Sequence, residues 1–466
     1  MAGIDRLAAG ARIWGTVCAG DGQQVEVAGL GPFARVGDWL MLEGRPGREP
    51  CAEIVRLERD GATAMLLRPG DGVGVGGRAW LTRAPLPRPS VEWLGRIVDY
   101  RGCSLEGEAL TEGHEPAPLR RAPPRAERRR GFGPRLETGL AALDAALPFC
   151  RGQRLGVFAG SGVGKSMLLG HLARTLPVDV TVVALIGERG REVSSFVRET
   201  LGPEALSRAV VVAATSDQSA LMQRRAAYLA MATAEHFRDR GAHVGLLFDS
   251  VTRFADAHRA VALATGEMPA LRAYPPSTAS EIAALCERAG PGEAADGESD
   301  TRAQGDITAV FTVLVAGSDM DEPVADILRG VLDGHLVLDR AIAERGRFPA
   351  IDLRQSVSRA APAAWSAEET RLSAELRRRI AAYEDALPML RSGLYAAGSD
   401  PALDLAVASF PSLDAFLAER RAQPEPHWAE ALLRERLGEE PLTATPLQPG
   451  REEVLAGPRS EAGALE

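Results

Sequence analysis

The spacing of hydrophobic and polar positions changes twice along the chain. Up to about residue 85, short apolar segments alternate with Gly, Pro and Asp and never extend into a long helical repeat. Such segments are typical of strands joined by tight turns. They predict strands at residues 12–18, 24–27, 39–42, 52–57 and 63–67. Short strands without an intervening helix favour a small barrel or a sandwich.

The central part of the chain alternates apolar runs with helical stretches. Its candidate strands are rich in Val, Leu and Ile and lie at residues 155–158, 180–186, 209–213, 244–248 and 307–315. Strands that are hydrophobic throughout and separated by helices are typical of a parallel sheet covered by helices on both faces. The centre is therefore expected to have an α/β fold.

A helical pattern follows the central part. Ser366 and Glu369 have the spacing of a capping box, and apolar residues then recur at helical intervals from Leu372 to Leu387. A second helical hairpin is expected between residues 403 and 417. From residue 437 onwards the sequence is acidic and rich in Pro, which predicts a mobile tail.

Residues 116–135, after the first group of strands, form a segment rich in Pro and Arg. A run of like charges with several prolines is usually solvated, and the segment is interpreted here as an exposed connector. A contact of its arginines with an anion or a partner is the alternative.

Composition supports a folded chain of several domains. Its 466 residues correspond to about three domains. The net charge of −9 argues against a protein that coats nucleic acid or anionic lipid. No uninterrupted apolar run is long enough to span a bilayer, and the N-terminus lacks a signal-peptide pattern, so the chain is expected to be cytoplasmic. Its five scattered cysteines predict neither a disulfide framework nor a zinc site.

A glycine-rich segment follows the strand at residues 155–158 and opens a helix. A phosphate needs inward-pointing backbone N–H groups, a helix N-terminus and a nearby ammonium, and this segment supplies all three. It is therefore expected to be a phosphate-binding loop (P-loop) that binds ATP, although Ala159 replaces the first glycine of the strict pattern. The expected nucleotide-binding residues of this loop are Ala159, Gly160, Ser161, Gly162, Val163, Gly164, Lys165, Ser166 and Met167.

Lys165 is the one lysine among the 54 basic residues, and all the others are arginines. A compact ammonium on a flexible stem suits the slot between the β- and γ-phosphates better than a planar guanidinium does. The chain thus keeps lysine where arginine is least able to replace it, which favours a catalytic role for Lys165.

Two carboxylates follow apolar runs of the centre. Asp249 ends one run and is expected to hold Mg²⁺ through a water molecule, with Ser166 as a direct ligand. Glu188 follows another run and is expected to be the base that deprotonates the attacking water. Arg189 is expected to contact the γ-phosphate or to orient Glu188.

Six segments of the sequence together resemble one protein family. They are AGSGVGKS, IGERGREV, FDSVTRFA, GEMPALRAYPPSTASEIAALCERAG, ITAVFTVLVAGSDMDEPVADILRGVLDGHLVLDR and FPAIDLRQSVSR. From about Trp93 to Phe416 the chain resembles the hexameric flagellar protein-export ATPases. That family is itself similar to the injectisome ATPases of type III secretion and to the subunits of rotary ATP synthases.

The resemblance implies an architecture. It implies an α/β fold with a RecA-like P-loop domain and a parallel sheet, a small N-terminal β-barrel and a C-terminal helical domain. The expected bounds are residues 1–86 for the barrel, 87–360 for the ATPase domain, 361–436 for the helical domain and 437–466 for the tail.

The resemblance also assigns roles to residues outside the P-loop. Arg359 matches an arginine finger that reaches the nucleotide of the neighbouring subunit, and Phe348 and Tyr395 match aromatic positions that sandwich adenine. Rotary synthases divide the base and the finger between two subunits, whereas Glu188 and Arg359 occur together in this chain. The chain is therefore expected to form a homohexamer with one site at each subunit boundary.

The family further implies cofactors, partners and location. ATP and Mg²⁺ are expected in the site, and hydrolysis is expected to drive export of flagellar proteins. The implied partners are other copies of the chain, regulator and stalk proteins, a membrane export gate, and export substrates with their chaperones, but no nucleic acid. The expected location is the cytoplasm, peripheral to the inner face of the cell membrane.

Three alternatives are open. An injectisome ATPase would use the same site, although residues 307–340 resemble the flagellar branch more. An RNA translocase similar to the transcription terminator would also have a small barrel and a P-loop, but residues 1–85 carry few clustered cations. A subunit of a proton-driven synthase is disfavoured because Glu188 and Arg359 coexist.

Overall fold

The computed structural model describes residues 13–44, 51–68, 74–294, 304–315 and 320–438. These residues form a barrel, a central sheet covered by helices and a C-terminal helical bundle. This is the α/β architecture expected from the sequence. The predicted acidic tail lies almost wholly outside the described residues.

The amino-terminal strands form a closed barrel. Within the described residues these strands are β1 (Trp14–Gly20), β2 (Gln24–Ala28), β3 (Trp39–Leu42), β4 (Ala52–Leu57), β5 (Gly61–Leu66) and β6 (Arg78–Thr82). Their order around the barrel is β1-β2-β5-β4-β3-β6. The sequence pattern missed β6, which closes the barrel by pairing with β1 and β3, because its short apolar alternation is no stronger than that of a loop. The sandwich alternative is therefore wrong.

Eleven strands of the described residues follow the barrel. They are β7 (Arg96–Val98), β8 (Arg135–Leu136), β9 (Phe149–Cys150), β10 (Arg154–Ala159), β11 (Val180–Glu188), β12 (Ala209–Thr215), β13 (His243–Asp249), β14 (Gly290–Pro291), β15 (Asp306–Leu314), β16 (Gly334–Leu338) and β17 (Ile351–Ser358). The sheet order is β17-β16-β10-β15-β13-β11-β12-β7, with β14 beside β15, whereas β8 and β9 pair only with each other.

The strands from β16 to β7 run parallel, and β17 and β14 are antiparallel to their neighbours. The five predicted central strands are β10, β11, β12, β13 and β15. The sequence pattern missed β7, β16 and β17, which are short or carry polar residues because they lie toward the edges of the sheet. The carboxyl ends of β10, β11 and β13 share one edge, where ligands of open parallel sheets usually bind.

Helices cover both faces of the sheet. They are α1 (Ala141–Ala146), α2 (Lys165–Thr175), α3 (Gly190–Ser195), α4 (Gly202–Ser207), α5 (Ala220–Arg238), α6 (Val251–Ala264), α7 (Ser277–Glu287), α8 (Pro323–Val331), α9 (Arg340–Glu344) and α10 (Ala361–Ala364). A π-helix, Phe196–Leu201, joins α3 to α4, and 3₁₀ turns lie at Val91–Trp93 and Leu271–Ala273. Along β11, Val182 packs with one helical layer and Val183 with the other, since successive side chains point to opposite faces.

The connector of residues 116–135 is largely exposed, as expected from the sequence, but it is docked on the ATPase domain through its arginines. Its arginines form ion pairs with carboxylates that are distant in sequence. The pairs are Arg120 with Glu281, Arg121 with Asp239, Arg128 with Glu293, Arg129 with Glu287 and Arg130 with Asp306. Arg130 also donates to the carbonyl oxygens of Gln304 and Gly305. These acceptors come from separate elements, which is why the sequence pattern did not reveal them.

Three further helices form the C-terminal bundle. They are α11 (Ala367–Arg391), α12 (Pro401–Ala418) and α13 (Trp428–Leu437). The predicted capping box begins α11: the amide of Glu369 donates to Ser366 Oγ at 3.2 Å, and the Ser366 amide donates to Glu369 Oε2 at 2.8 Å. The predicted second hairpin is wrong at residues 403–417, because these residues form the single helix α12, and α13 begins only at Trp428.

Among the described helices, α12 has the length and apolar composition that could cross a bilayer. It nevertheless packs in the bundle, where Leu413, Phe416 and Leu417 are buried and Phe410 stacks on Tyr383 of α11 at 3.6 Å between ring centroids. Packing against the rest of the chain therefore accounts for part of its apolar surface, while Leu405 is exposed.

Candidate nucleotide site

The P-loop lies between β10 and α2, as expected for a phosphate-binding turn. Gly164 caps α2 with a φ of 99°, in the left-handed region that favours glycine. The loop borders a cavity of about 810 Å³. Every predicted loop residue lines this cavity except Val163, which is buried below the loop.

Lys165 and Asp249 are in direct contact. Lys165 Nζ donates to Asp249 Oδ1 at 2.6 Å and lies 3.6 Å from Glu188 Oε1. The three side chains meet because β11 and β13 are adjacent parallel strands and the P-loop leaves the same edge of the sheet. The structure thus brings together the predicted ammonium, metal-binding carboxylate and base.

Glu188 is partly buried beside two charged groups. Burial raises the pKa of this carboxyl above its usual value, and the charge of Asp249 adds to the effect, whereas the Lys165 ammonium opposes it. Glu188 Oε1 is buried and accepts no hydrogen bond from the described residues. Gly187 turns the chain before Glu188 with a φ of 70°. A carboxylate with these surroundings is suited to accept a proton.

The chemistry of the predicted metal ligands fits Mg²⁺. Ser166 lines the cavity with an exposed hydroxyl, and the nearly buried Asp249 carboxylate lies at the neighbouring strand end. A hydroxyl and a carboxylate supplemented by phosphate and water oxygens form a typical magnesium donor set. These two residues could hold the ion.

Two predicted arginines occupy different positions. Arg189 lines the cavity, is largely exposed and lies 3.4 Å from Glu192 in an ion pair. Arg359 is exposed after β17 and donates to the carbonyl oxygen of Arg329 at 3.1 Å. The cavity lining does not include Arg359, and its role as an arginine finger stays a prediction.

The predicted adenine-binding aromatics lie outside the cavity lining. The Phe348 ring approaches the P-loop and lies 3.2 Å from the position that a Cβ on Gly164 would occupy. Tyr395 is held elsewhere, where its hydroxyl donates to Asp404 Oδ1 at 2.6 Å. Among the described ring contacts there is none between Phe348 and Tyr395, so the adenine sandwich stays a prediction.

Sequence reasoning missed a threonine in the site. Thr312 in β15 is fully buried and donates from Oγ1 to Asp249 Oδ1 at 2.6 Å, so this oxygen accepts from both Thr312 and Lys165. A polar residue within an apolar strand was the available signal. Arg253 was noted only as part of a motif, and it lines the cavity beside Gly187.

Two family models match the chain. The nucleotide-binding domain of the ATP synthase alpha/beta family matches residues 139–358, which include Lys165, Glu188 and Asp249. The C-terminal domain of the T3SS EscN ATPase matches residues 365–429, which include α11 and α12. The two matches follow each other along the chain with a short interval between them.

Sequence relatives cover most of the chain. A flagellum-specific ATP synthase of Caulobacter vibrioides is 45% identical over 414 residues, which are 88% of this chain and 92% of the relative. The chain belongs to the flagellum-specific ATP synthase family. Another flagellum-specific ATP synthase, from Treponema pallidum, is 44% identical over 84% of this chain and 85% of its own length.

A solved structure extends the likeness to the fold. The assembled ATPase EscN, from the type III secretion system of enteropathogenic E. coli, has a TM-score of 0.82 and 34% identity, covering 91% of this chain and 100% of EscN. EscN in complex with its central stalk EscO has a TM-score of 0.79, with the same identity and coverage. This flagellum-specific ATP synthase family member is a P-loop ATPase with the EscN fold.

Proposed function

We propose that this chain is a homohexameric ATPase that couples ATP hydrolysis to the export of flagellar proteins through a type III secretion apparatus. The supporting observation is the grouping of Lys165, Glu188 and Asp249 at the P-loop cavity, in a chain whose relatives are flagellum-specific ATP synthases. A lysine, a metal-binding carboxylate and a second carboxylate are the groups that phosphoryl transfer to water requires.

In this proposal the P-loop holds the phosphates of ATP. Its backbone N–H groups and the N-terminus of α2 face the negative oxygens, and the Lys165 ammonium lies between the β- and γ-phosphates. Phe348 and Tyr395 stack on the two faces of adenine. The Lys165 ammonium leaves Asp249 as ATP binds, because the Asp249 carboxylate and the phosphates compete for its positive charge.

Ser166 and Asp249 hold Mg²⁺ in this proposal, Ser166 directly and Asp249 through water. When bound, the ion supplies positive charge to the β- and γ-phosphate oxygens. Thr312 holds Asp249 Oδ1 and thereby fixes the direction in which the carboxylate presents its other oxygen.

Glu188 orients the attacking water and accepts its proton. Its raised pKa makes it a stronger base than an exposed glutamate, and its buried position keeps bulk water away. Arg189 contacts the γ-phosphate or orients Glu188. The P-loop and Glu188 hold the reacting atoms in line, which is a large part of catalysis in this reaction class.

Arg359 completes the site in a neighbouring subunit. Its exposed position outside its own cavity and the assembled state of EscN support a ring in which each finger stabilises the charge of the next nucleotide. A central stalk protein enters the ring in the proposal, as EscO binds EscN. A regulator, the export gate and export substrates with their chaperones are the remaining partners, at the inner face of the cell membrane.

The replacement Glu188→Gln tests the catalytic assignment. We expect steady-state phosphate release to fall by roughly 10²–10⁴-fold, because the amide cannot accept a proton, while a fluorescent ATP analogue still binds. The exposed Glu204→Gln provides a matched control with unchanged turnover. Wild-type turnover should fall as the pH decreases through the raised pKa of Glu188, since the protonated form cannot act as a base. Near-normal turnover of Glu188→Gln would contradict the assignment.

An injectisome ATPase is the second candidate, supported by the EscN match of residues 365–429 and of the fold. Deletion of the gene from its own organism separates the two candidates. Loss of hook and filament proteins from the culture medium, restored by the wild type but not by Glu188→Gln, supports flagellar export. Normal motility with loss of another secreted set of proteins would favour the injectisome.

A further inference from the structure

A second cavity, of about 750 Å³, lies where the barrel meets the ATPase domain. Its walls come from the barrel loop at residues 35–38, Glu53 of β4, the connector at Arg120, and helices α5 and α6. The volume lies within the range of roughly 300–1,000 Å³ that is usual for small-molecule sites, which often form between domains. The cavity is separate from the P-loop, since the two linings share no residue.

Arg224 of α5 is a largely buried cation of this cavity, and its ion pair with Glu53 is a long one. Its side chain is 14% exposed, and among the described residues its guanidinium makes no hydrogen bond and has Glu53 Oε1 as its nearest carboxylate oxygen, at 3.7 Å. Other arginines of the wall are engaged: Arg83 donates to Asp38, and Arg120 pairs with Glu281. A largely buried guanidinium without hydrogen bonds is costly unless an oxyanion completes it.

His258 of α6 supplies a group of opposite character on the same wall. The residue is 5% exposed, and its Nε2 lies 2.8 Å from Ser277 Oγ. Because Ser277 Oγ donates its proton to Glu267, it accepts from His258 Nε2–H, so Nδ1 is the unprotonated nitrogen. That Nδ1 is buried and has no hydrogen-bond partner among the described residues. Two residues of the cavity lining thus have unused hydrogen-bonding capacity, a donor on Arg224 and an acceptor on His258.

We propose that this cavity binds a small hydroxylated oxyanion, either a hydroxycarboxylic acid or a sugar phosphate. Arg224 takes the carboxylate or phosphate in a two-pronged hydrogen bond, and His258 Nδ1 accepts a hydrogen bond from a hydroxyl of the same molecule. Arg224 selects the negative charge of the ligand, and His258 Nδ1 selects its hydroxyl group. An inorganic anion without a hydroxyl would satisfy only Arg224.

The position of Arg224 connects the cavity to the nucleotide site. The preceding residue, Gln223, donates from Nε2 to the carbonyl oxygen of Gln218 at 2.9 Å, and its Oε1 lies 3.1 Å from where a Cβ on Gly187 would be. Gly187 directly precedes Glu188. A ligand that draws Arg224 into the cavity thus acts on the helix turn that packs against the proposed base, and turnover is expected to change with occupancy.

Titration calorimetry on the purified full-length chain tests the proposal, with citrate and ribose 5-phosphate as separate probes and sulfate as the anion without a hydroxyl. We expect one of the two probes to bind more tightly than sulfate, and Arg224→Gln to weaken that probe at least tenfold. Arg240→Gln, which alters an exposed arginine just beyond α5, should leave the affinity unchanged. Binding of citrate alone identifies a hydroxycarboxylate site, and binding of ribose 5-phosphate alone identifies a sugar-phosphate site.

Two further measurements keep the result interpretable. Lys165→Ala should retain the probe, since the P-loop is not the site, and His258→Phe should weaken it while retaining binding of sulfate. Thermal unfolding reports whether each variant is folded, and binding of the ATP analogue does so for the variants that keep Lys165; neither measurement depends on turnover. Failure of both probes to bind the wild type, equal affinity of Arg224→Gln, or loss of binding in Lys165→Ala would overturn the proposal.

Discussion

At the residue scale, one carboxylate oxygen of Asp249 accepts hydrogen bonds from two residues of the proposed site. Asp249 Oδ1 accepts from Lys165 Nζ and from Thr312 Oγ1, each at 2.6 Å, and Asp249 itself is 3% exposed. A carboxylate held by two donors on one oxygen cannot rotate freely. In the proposed ATP-bound state Lys165 turns to phosphate, so Thr312 is the donor that remains on this oxygen and would orient Asp249 toward the ion.

Replacement of Thr312 by valine keeps the shape and removes this donor. We expect turnover to fall by about tenfold, equivalent to about 1.4 kcal/mol of barrier, and the half-saturating Mg²⁺ concentration to rise. Thr233→Val is a matched control because Thr233 is also fully buried but donates only to a carbonyl oxygen within α5. If Thr312→Val and Thr233→Val both have the Mg²⁺ dependence of the wild type, Thr312 does not orient Asp249 toward the ion.

Only part of this site was predictable from the sequence. Lys165, Glu188 and Asp249 were predictable because each follows an apolar run in a local motif. Thr312 was not, since its contact with Asp249 depends on the register between β13 and β15, strands that lie far apart in the chain. Arg224 was assigned no chemistry for the same reason: its surroundings come from the barrel and two helices.

At the element scale, Asp144 of α1 links the ATPase domain to the C-terminal bundle. Its carboxylate accepts from the amides of Thr138 and Gly139, at 2.9 and 3.0 Å, and from Trp428 Nε1 of α13 at 2.9 Å. Asp144 and Trp428 are both buried. One carboxylate thus fixes the turn before α1 and also holds Trp428 of α13, in addition to the apolar packing of Leu433 and the Arg434–Glu368 ion pair.

Asp144→Ala should destabilise the fold strongly. Several buried donors lose their acceptor, and we expect the free energy of unfolding to fall by roughly 2–4 kcal/mol, as is usual when a buried hydrogen-bond network is broken. Urea unfolding followed by Trp fluorescence measures the change. Asp385→Ala, which removes an exposed ion pair with Arg354, should cost at most about 1 kcal/mol. An equal decrease in the free energy of unfolding for the two variants would show that the hydrogen bonds of Asp144 stabilise the fold no more than an exposed ion pair does.

At the scale of the whole molecule, the sequence patterns predicted the three regions but not how they meet. Strong periodicity marked the central strands and α11, whereas β6 and β16 were missed because few residues define each. The contacts of the exposed connector were not predictable because its arginines find carboxylates at the end of α5, on α7 and on β15 only in the folded chain. Composition alone cannot distinguish a solvated arginine from one with a distant partner.

Arg359 gives a prediction for the assembled molecule. If the finger acts in the next subunit, specific ATPase activity should rise steeply with protein concentration, and Arg359→Ala should remove that rise. Mixing Arg359→Ala with Lys165→Ala should restore some activity, because a boundary between them can combine an intact cavity with an intact finger. Equal specific activity at all concentrations, or no recovery on mixing, would indicate that each chain works alone.

Thr138 joins the P-loop helix to the C-terminal bundle. Its carbonyl oxygen accepts from Thr175 Oγ1 at 2.8 Å and from His171 Nε2 at 2.9 Å, both on α2, and its amide donates to the carboxylate that holds Trp428. These hydrogen bonds form a continuous path from the phosphate-binding helix to α13. We therefore expect the stability of the C-terminal bundle to respond to occupancy of the P-loop.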